Sequence, residues 1–177
     1  MFKRFRRLRI NETLRNLVQE TVLTPDDFIY PLFVREGQNI KTEVASMPGV
    51  YQMSIDEILK ECEYLVSINL KSIILFGIPD TKDSVGSECL CEESIIARTI
   101  KAIKAKFPQM FIVTDLCFCE YTDHGHCGIL DPKTGSVDND KTLEISAQQA
   151  VVHARAGADM IAPSGMMDGI ITTLRNA

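Results

Sequence analysis

The sequence lacks any apolar run long enough to cross a bilayer, since its longest apolar stretches, such as residues 73–76 and 110–113, are far too short. No apolar segment follows the basic residues at the start of the chain, so these residues do not read as a secretory signal. No glycine-rich phosphate loop follows the first predicted strand, which argues against a nucleotide-binding domain. We therefore expect a cytoplasmic protein with no membrane partner.

The first nine residues, MFKRFRRLR, form a strongly basic arm. They contain five lysines and arginines and no acidic residue, so they carry +5; since the whole chain carries −5, the remaining residues carry −10. Such an arm is typical of nucleic-acid binding, but the acidic remainder offers no basic face to extend that kind of site. A transit peptide would contain more serine. We favour an arm that docks on an acidic partner surface, such as a second copy of this chain, and expect no nucleic-acid partner.

Apolar periodicity predicts four units in which a buried strand is followed by an amphipathic helix. Residues 35–53 contain Gly37, Pro48 and Gly49 and are predicted to form a connection. Ser54 and Glu57 have the spacing of a capping box, which predicts the start of a helix. The predicted strands are residues 28–34, 72–77, 110–116 and 159–162. The predicted helices are residues 12–21, a helix from residue 54, residues 92–106 and 142–156, and a last helix that begins near residue 167.

Strands that alternate with helices in this way form parallel sheets with both faces covered. Two architectures fit: a doubly wound open sheet, and part of a (β/α)₈ barrel. The missing phosphate loop weakens the first. A complete barrel needs about 250 residues, so four units correspond to about half of one.

Three cysteines and two histidines lie close together at the predicted end of the third strand, in the sequence DLCFCEYTDHGHCG over residues 115–128. Cys117 and Cys119 are two residues apart, so their side chains would point the same way on a continuing strand. The segment that leads to Cys127 is long enough to fold back, and Gly125 eases the return. Three thiolates bind Zn²⁺ at about 2.3 Å and leave a fourth position open, which is typical of catalytic zinc.

The sequence does not decide which group occupies that fourth coordination position. His126 either fills it or orients a bound water from outside. A structural zinc, or a set of inert buried thiols, would explain the same residues. A CxC pair joined by a third cysteine and two histidines on one loop nevertheless favours metal binding, with Zn²⁺ as the expected ion.

The other three cysteines are not expected to bind this metal. Cys62 lies on the apolar stripe of a predicted helix and is interpreted as a core residue. Cys89 and Cys91 form a second CxC pair, but combining them with the first two cysteines of the loop would give an unusual zinc spacing and leave the third unused. Clustered cysteines in a chain without a secretory signal suggest metal or catalysis before disulfides.

A second patch, APSGMMDG over residues 162–169, follows the fourth predicted strand and opens on the same side as the cysteine loop. Ser164 is a candidate for binding substrate or for capping the next helix, and Asp168 is a candidate cap. Asp115, two residues before the first cysteine, is a candidate for orienting a ligand or moving a proton. The alternative for Asp115 is a carboxylate held by loop amides.

The two patches together resemble the zinc-type porphobilinogen synthase family, whose members are also called 5-aminolevulinate dehydratases. The likeness extends through the basic arm, through LVQET at residues 17–21 and through PLFVREG at residues 31–37. It implies an α/β fold of the TIM-barrel family, with about the first four βα units over residues 26–177 and an arm with a short helix over residues 1–25. It also implies a homo-octamer assembled through the arm.

The resemblance implies a lyase that condenses two molecules of 5-aminolevulinate to porphobilinogen with loss of two waters, in heme biosynthesis. Residue by residue, Cys117, Cys119 and Cys127 match the zinc ligands of the family. Asp115 matches its active-site aspartate, and Ser164 matches the serine of the second patch. An allosteric Mg²⁺ ion in the full-length enzyme is also part of this expectation.

The sequence departs from the family pattern at Gly165, where members commonly have Asp, and at Ile170, where many have Arg. The first departure weakens any proton-transfer role at that position. The two lysines of the family's Schiff-base chemistry belong to later strands, beyond residue 177. We therefore predict that this chain alone lacks synthase activity; the alternative function is a non-catalytic zinc-binding or assembly module. The lysines that are present are expected on the solvated surface, namely Lys71, Lys101, Lys104 and Lys106.

Overall fold

The structure, a computed structural model, describes residues 3–177 and is built on one six-stranded sheet with the order β2-β3-β1-β4-β5-β6. The strands are β1 (Tyr30–Arg35), β2 (Lys41–Glu43), β3 (Tyr51–Met53), β4 (Ser72–Ile78), β5 (Phe111–Leu116) and β6 (Met160–Pro163). The α-helices are α1 (Glu12–Leu17), α2 (Ile55–Ser67), α3 (Ile95–Lys106), α4 (Asn139–Ala156) and α5 (Ile170–Asn176). Short 3₁₀ helices cover Phe5–Arg9, Pro25–Asp27 and Ser87–Leu90.

The strands β1, β4, β5 and β6 lie side by side in chain order, and each is parallel to its neighbour. A doubly wound sheet reverses its strand order at one point, whereas a barrel adds each strand next to the previous one. The observed order therefore separates the two architectures. The prediction of an α/β fold of the barrel family, with four βα units, is confirmed.

The segment between β1 and α2 is more than the connection that the sequence predicts. β2 and β3 form a short antiparallel pair, and β3 also runs parallel to the outer edge of β1, beside Phe33 and Val34. Each of these strands has three residues, too few for the alternation that reveals a strand in a sequence. Pro31 lies on the part of β1 that pairs with β4 alone, where its missing N–H donor is tolerated.

The predicted capping box at the start of α2 is wrong. The hydroxyl of Ser54 accepts a hydrogen bond from the N–H of Ile40 and donates one to the carboxylate of Asp56. It makes no cap bond to the helix, and Glu57 plays no part in one. Ser54 instead joins the start of α2 to the segment just before β2.

The other helix boundaries shift by a few residues from their predicted positions. α1 ends at residue 17 rather than 21, α3 begins at 95 rather than 92, α4 at 139 rather than 142, and α5 at 170 rather than near 167. Side-chain caps account for three of the starts, because a backbone N–H of the first turn donates to Asn11, Ser94 or Asp138.

The main hydrophobic core lies between the sheet and helices α2 and α3. Alternate side chains of the strands point into it, as Leu32 and Leu75 do, and both are fully buried. The opposite face of the sheet carries Phe33 and Phe76, whose rings stack with centroids 5.2 Å apart. Cys62 is buried in the main core as predicted, and burial raises the pKa of its thiol to about 12.

One of the four lysines expected on the solvated surface has a different position. The ammonium group of Lys104 lies 2.6 Å from the carboxylate of Asp159 and donates to the carbonyl of Met110 at 2.8 Å. Its side chain is 25% exposed, about half of the 47% and 49% of Lys101 and Lys106. Lys104 therefore joins the end of α3 to the start of β6.

The residues before β1 pack little against the rest of the chain. None of their three helical segments contains a buried residue. Several apolar side chains there are more than half exposed, including Phe5, Ile10, Leu17 and Leu23. The boundary between arm and barrel at residue 25 stays a prediction. Within residues 3–177, no helix is both long enough and apolar enough to span a membrane.

Candidate metal centre

The candidate site lies where β5 and β6 end, at the carboxyl edge of the parallel sheet. Cys117 directly follows the last residue of β5, and Ser164 directly follows the last residue of β6. The N–H of Ser164 donates to the carbonyl of Leu116 at 3.2 Å, so the parallel pairing continues to this point. The two patches singled out in the sequence are therefore neighbours at the edge where barrel enzymes carry their active sites.

The sulfur atoms of Cys117, Cys119 and Cys127 all lie within 4.8 Å of one another. The sulfurs of Cys117 and Cys119 are 3.3 Å apart. Two sulfurs that share one tetrahedral ion at about 2.3 Å would be separated by ~3.8 Å. The three thiols are thus placed to hold one thiophilic divalent ion with only small movements.

Two thiols of this cluster, those of Cys119 and Cys127, have raised pKa values when no cation is present. Burial raises the pKa of Cys119, and the neighbouring Cys117 and Glu120 raise it further. Burial also raises the pKa of Cys127, and Cys117 adds to that shift. A bound divalent cation reverses this balance because it stabilises thiolates directly. Metal binding at this site must therefore displace protons.

Two aromatic residues of the cysteine loop are buried and fix it to the rest of the protein. Phe118 and Tyr121 are buried and form a small core cluster with Cys89. The N–H groups of Tyr121 and Thr122 both donate to the carbonyl of Phe118, at 2.9 and 2.8 Å, and close a tight turn. Because Phe118 points into the protein, the cysteines on either side of it share the opposite side.

The return towards Cys127 depends on a glycine and on local hydrogen bonds. Gly125 has φ 72°, a left-handed conformation that glycine adopts without strain. The hydroxyl of Thr122 donates to the carbonyl of His126 at 2.9 Å, and the N–H of His126 donates to Nδ1 of His124 at 3.1 Å. Among the residues that the structure describes, His126 is not part of a group of ligand atoms within 4.8 Å of one another. Its role beside a metal stays a prediction.

The second CxC pair is arranged differently. Cys89 is fully buried, and its thiol donates to the carbonyl of Gly86 at 3.0 Å. Cys91 is exposed. Neither belongs to a potential metal-ligand group within residues 3–177. Burial raises the pKa of the Cys89 thiol, as expected for a cysteine that packs as a core residue.

Asp115 lies beside the sulfur cluster, with a carboxylate oxygen within 4.8 Å of ligand atoms of Cys117 and Glu120. Burial raises the pKa of Asp115 and repulsion from Glu120 adds to the shift, while the hydrogen bond with Ser164 acts in the opposite direction. A carboxyl group whose proton affinity is raised in this way suits proton transfer. Ser164 does not cap a helix, because α5 begins six residues later, at Ile170.

Glu120 is a site residue that sequence reasoning missed. A carboxylate oxygen of Glu120 lies within 4.8 Å of ligand atoms of Asp115 and Cys117. The thiol of Cys119 donates to it at 3.4 Å. Its position directly after the CxC pair is the sequence feature that could have identified it as a site residue.

Asp83 is a second missed residue, and it joins two loops. Its side chain accepts from the N–H groups of Val85 and Ser87 at 2.9 and 3.1 Å. Its backbone pairs with Thr122 in an isolated bridge and accepts from the N–H of Asp123 at 3.1 Å. Nothing in the local sequence marks this role, because the two loops are far apart along the chain.

The second patch contains two further positions of interest. Asp168 does not cap α5; its N–H donates to the side chain of Asn139 at 2.8 Å, which joins the patch to the start of α4. A Cβ atom added at Gly165 would meet only the carbonyl of Cys127, at 3.9 Å. Steric crowding therefore does not require a glycine there.

Comparison with known families agrees with this geometry. The model of the family "Delta-aminolevulinic acid dehydratase" matches residues 2–177. The chain belongs to the delta-aminolevulinic acid dehydratase family. Because the match covers both the cysteine loop and the second patch, the resemblance drawn from these motifs is confirmed.

Curated relatives carry the same family name. The delta-aminolevulinic acid dehydratase of Helicobacter pylori is 54% identical over 178 residues, which cover 100% of this chain and 54% of the relative. That of Ruminiclostridium josui is 51% identical over 176 residues, covering 99% of this chain and 85% of the relative. The chain thus spans about half the length of the first relative and most of the second.

A solved structure shows the same fold. The delta-aminolevulinic acid dehydratase of Toxoplasma gondii, crystallised with the reaction product porphobilinogen, superposes with a TM-score of 0.95 at 36% identity. The match covers 99% of this chain and 50% of that one. The arrangement of strands and helices described above is therefore that of a dehydratase of this family over about half of its length.

Proposed function

We propose that this chain is the metal-binding part of a porphobilinogen synthase, which condenses two molecules of 5-aminolevulinate to porphobilinogen with loss of two waters. The observation that carries the proposal is the convergence of three cysteine sulfurs beside the carboxylate of Asp115. The porphobilinogen bound to the T. gondii relative supports the choice of product. The reaction is a lyase step of heme biosynthesis, and we place the protein in the cytoplasm.

The proposed ion is Zn²⁺, held by Cys117, Cys119 and Cys127. When bound, it would supply Lewis acidity to the carbonyl or amine of a substrate. Asp115 holds or moves a proton at this edge of the sheet, and the hydroxyl of Ser164 orients its carboxylate. The buried Phe118–Tyr121 layer keeps water away from the underside of the loop.

We further propose that residues 1–177 are inactive by themselves. By its resemblance to the family, the protein would carry its Schiff-base lysines beyond residue 177. Several lysines of the described residues are engaged in ion pairs instead, as Lys104 is with Asp159. An assay of the 177-residue chain with 5-aminolevulinate and zinc is expected to yield no porphobilinogen. Turnover like that of a full-length relative would refute this part of the proposal.

A hybrid enzyme tests the function itself. In it, this chain replaces the matched segment of the H. pylori relative, to which it is 54% identical. The hybrid is expected to form porphobilinogen in the presence of zinc, and Cys119→Ser in the hybrid is expected to abolish the activity. Cys91→Ser, at an exposed position outside the cluster, is the matched control. A hybrid that folds and binds zinc but makes no porphobilinogen would contradict the proposal.

The arm is proposed to assemble the protein into a homo-octamer. Its apolar side chains lie open to solvent, Phe5 being 81% and Leu17 78% exposed, and its charge is opposite to that of the rest of the chain. A second copy of the chain would bury the exposed apolar side chains and supply acidic groups opposite the basic arm. Light scattering on the hybrid and on a form without residues 1–11 tests this, since the shorter form is expected to be smaller. An allosteric Mg²⁺ belongs to the same proposal and is tested by the effect of Mg²⁺ on the hybrid's assembly.

A further inference from the structure

The face of α4 that packs against β5 and the cysteine loop carries an unusual row of polar side chains. Its members follow each other at intervals of four, three and four residues, and each is at most 1% exposed: Thr142, Ser146, Gln149 and His153. A helix usually buries an apolar stripe, because a buried polar group costs free energy unless it is hydrogen-bonded. The partners of this row therefore indicate why it is polar.

Gln149 reaches the start of the cysteine loop. Its side-chain N–H donates to the backbone carbonyl of Cys117 at 3.4 Å. Its Oε1 is buried and has no hydrogen-bond partner among the residues that the structure describes. An apolar residue at position 149 would avoid the free-energy cost of burying an unpaired oxygen. We therefore attribute the presence of Gln149 to its hydrogen bond with the Cys117 carbonyl.

Thr142 reaches the other end of the same loop. Its hydroxyl accepts from the N–H of Ile129 at 3.0 Å while it donates to the carbonyl of Asp138 at 2.6 Å. The approach is close: a Cβ atom added at Gly128 would lie 2.5 Å from the Thr142 hydroxyl oxygen. The backbone that leaves Cys127 is thus seated directly on the first turn of α4.

Within residues 3–177, the other two members of the row make no side-chain hydrogen bond to the cysteine loop. Ser146 donates to the carbonyl of Thr142 within its own helix, at 2.7 Å. His153 bonds to the side chain of Thr114 on β5, at 3.0 Å. They provide a comparison within one buried surface, since Ser146 shares the burial of Thr142 and Gln149 but directs its hydrogen bond to its own helix.

We infer that α4 is a template for the metal site, in which Gln149 and Thr142 are positioning residues that fix the spacing between Cys117 and Cys127. The two residues are seven positions apart on one helix, a fixed separation of about 10 Å along its axis. A rigid rod that holds both ends of a loop preorganises ligands that are distant in sequence, and this reduces the cost of ordering them when the ion binds. The inference rests on the proposed metal site and adds the two residues of α4 that hold its cysteine loop in place.

Cobalt titration of the 177-residue chain tests the inference. Co²⁺ bound by thiolates gives a charge-transfer absorption that reports the sulfur ligands, and competition with Zn²⁺ gives the zinc affinity. Thr142→Val and Gln149→Met keep the side-chain volume and remove the contacts to the loop. Each is expected to weaken affinity about 10- to 100-fold, the range typical of residues that orient metal ligands. Ser146→Ala is expected to bind as the unaltered chain does.

A rescue variant and a stability measurement separate positioning from folding. Thr142→Ser keeps the hydroxyl and is expected to restore most of the affinity that Thr142→Val loses. Thermal unfolding of the metal-free variants shows whether Ser146→Ala and Thr142→Val are equally folded. Equal affinities for Thr142→Val, Gln149→Met and Ser146→Ala would overturn the inference, as would a Thr142→Ser variant as weak as Thr142→Val. If the unaltered chain binds no Co²⁺ or Zn²⁺, the proposed metal site itself fails.

Discussion

The chain contains two CxC pairs with identical spacing and different structures. Cys117 and Cys119 stand at the end of a parallel strand, with their sulfurs 3.3 Å apart. Cys89 and Cys91 lie in and just after a 3₁₀ helix, where one thiol is buried against the carbonyl of Gly86 and the other is exposed. Identical spacing therefore does not bring two cysteine sulfurs together. The backbone conformation decides whether two cysteines share a side, and here the turn around Phe118 provides it.

The largest difference between the pairs is expected in metal affinity. Cys119→Ser removes one of three converging sulfurs and is expected to weaken zinc binding more than roughly 100-fold, since loss of an outer supporting residue already costs 10- to 100-fold. Cys91→Ser is the matched control, because it makes the same chemical change in the second member of the other pair. Competition with a chromophoric chelator measures both. Equal affinities for the two variants would remove the distinction between the pairs.

The pH dependence of zinc binding is the next largest effect. The pKa values of Cys119 and Cys127 are raised in the metal-free protein, so both thiols hold protons at neutral pH and must release them when the ion binds. Zinc affinity is therefore expected to rise with pH, by up to about 100-fold per unit if two protons are released. Titrations at pH 6.5 and 8.0, with proton release measured in weakly buffered solution, check this. Affinity that does not change over this range would contradict protonated ligands.

Reaction with iodoacetamide gives a smaller and more local contrast. Cys91 is exposed and is expected to react whether or not zinc is present, whereas Cys62 and Cys89 are buried and are expected to react slowly. Zinc is expected to slow alkylation of the cluster cysteines at least about tenfold, since bound thiolates are withheld from the reagent. Mass spectrometry of peptides quantifies each site. Protection of Cys91 as well would indicate that both pairs bind metal.

The smallest effect on zinc is expected from changing the second pair completely. The double variant Cys89→Ser, Cys91→Ser is expected to keep the zinc content of the unaltered chain. It should lose about 1–2 kcal/mol of stability, because a hydroxyl at position 89 is placed in an apolar cluster. Elemental analysis and thermal unfolding measure the two quantities. Half the zinc content would show that the second pair holds an ion.

Much of the fold follows from patterns that the sequence displays openly. The apolar strands and amphipathic helices predict parallel βα units, because burial on both faces of a sheet leaves a clear periodicity. The β2–β3 pair has no such signal, since its strands are three residues long and one is wholly exposed. Ser54 shows a different limit. The N–H that donates to its hydroxyl belongs to Ile40, which is distant in sequence, and not to the first turn of α2 as the capping-box pattern predicts.

The candidate site divides in the same way. The convergence of the three sulfurs is predictable because a third cysteine follows the CxC pair on one loop at the end of a strand, which the second CxC pair lacks. The position of Ser164 beside Leu116, the joining of loops by Asp83 and the hydrogen bonds of Gln149 and Thr142 depend on which elements become neighbours in the sheet. A single sequence displays the polar row on α4 only as a weak helical pattern, and its meaning appears once β5 lies beside it.

X-ray absorption spectroscopy on the zinc-loaded chain tests the central claim most directly, because it counts the atoms around the metal. Ligation by Cys117, Cys119 and Cys127 predicts three sulfurs at about 2.3 Å and one oxygen or nitrogen at about 2.0 Å. The sulfur count should fall to two in Cys127→Ser and stay at three in Cys91→Ser. Fewer than three sulfurs in the unaltered chain, or a fourth sulfur that closes the site, would contradict the account.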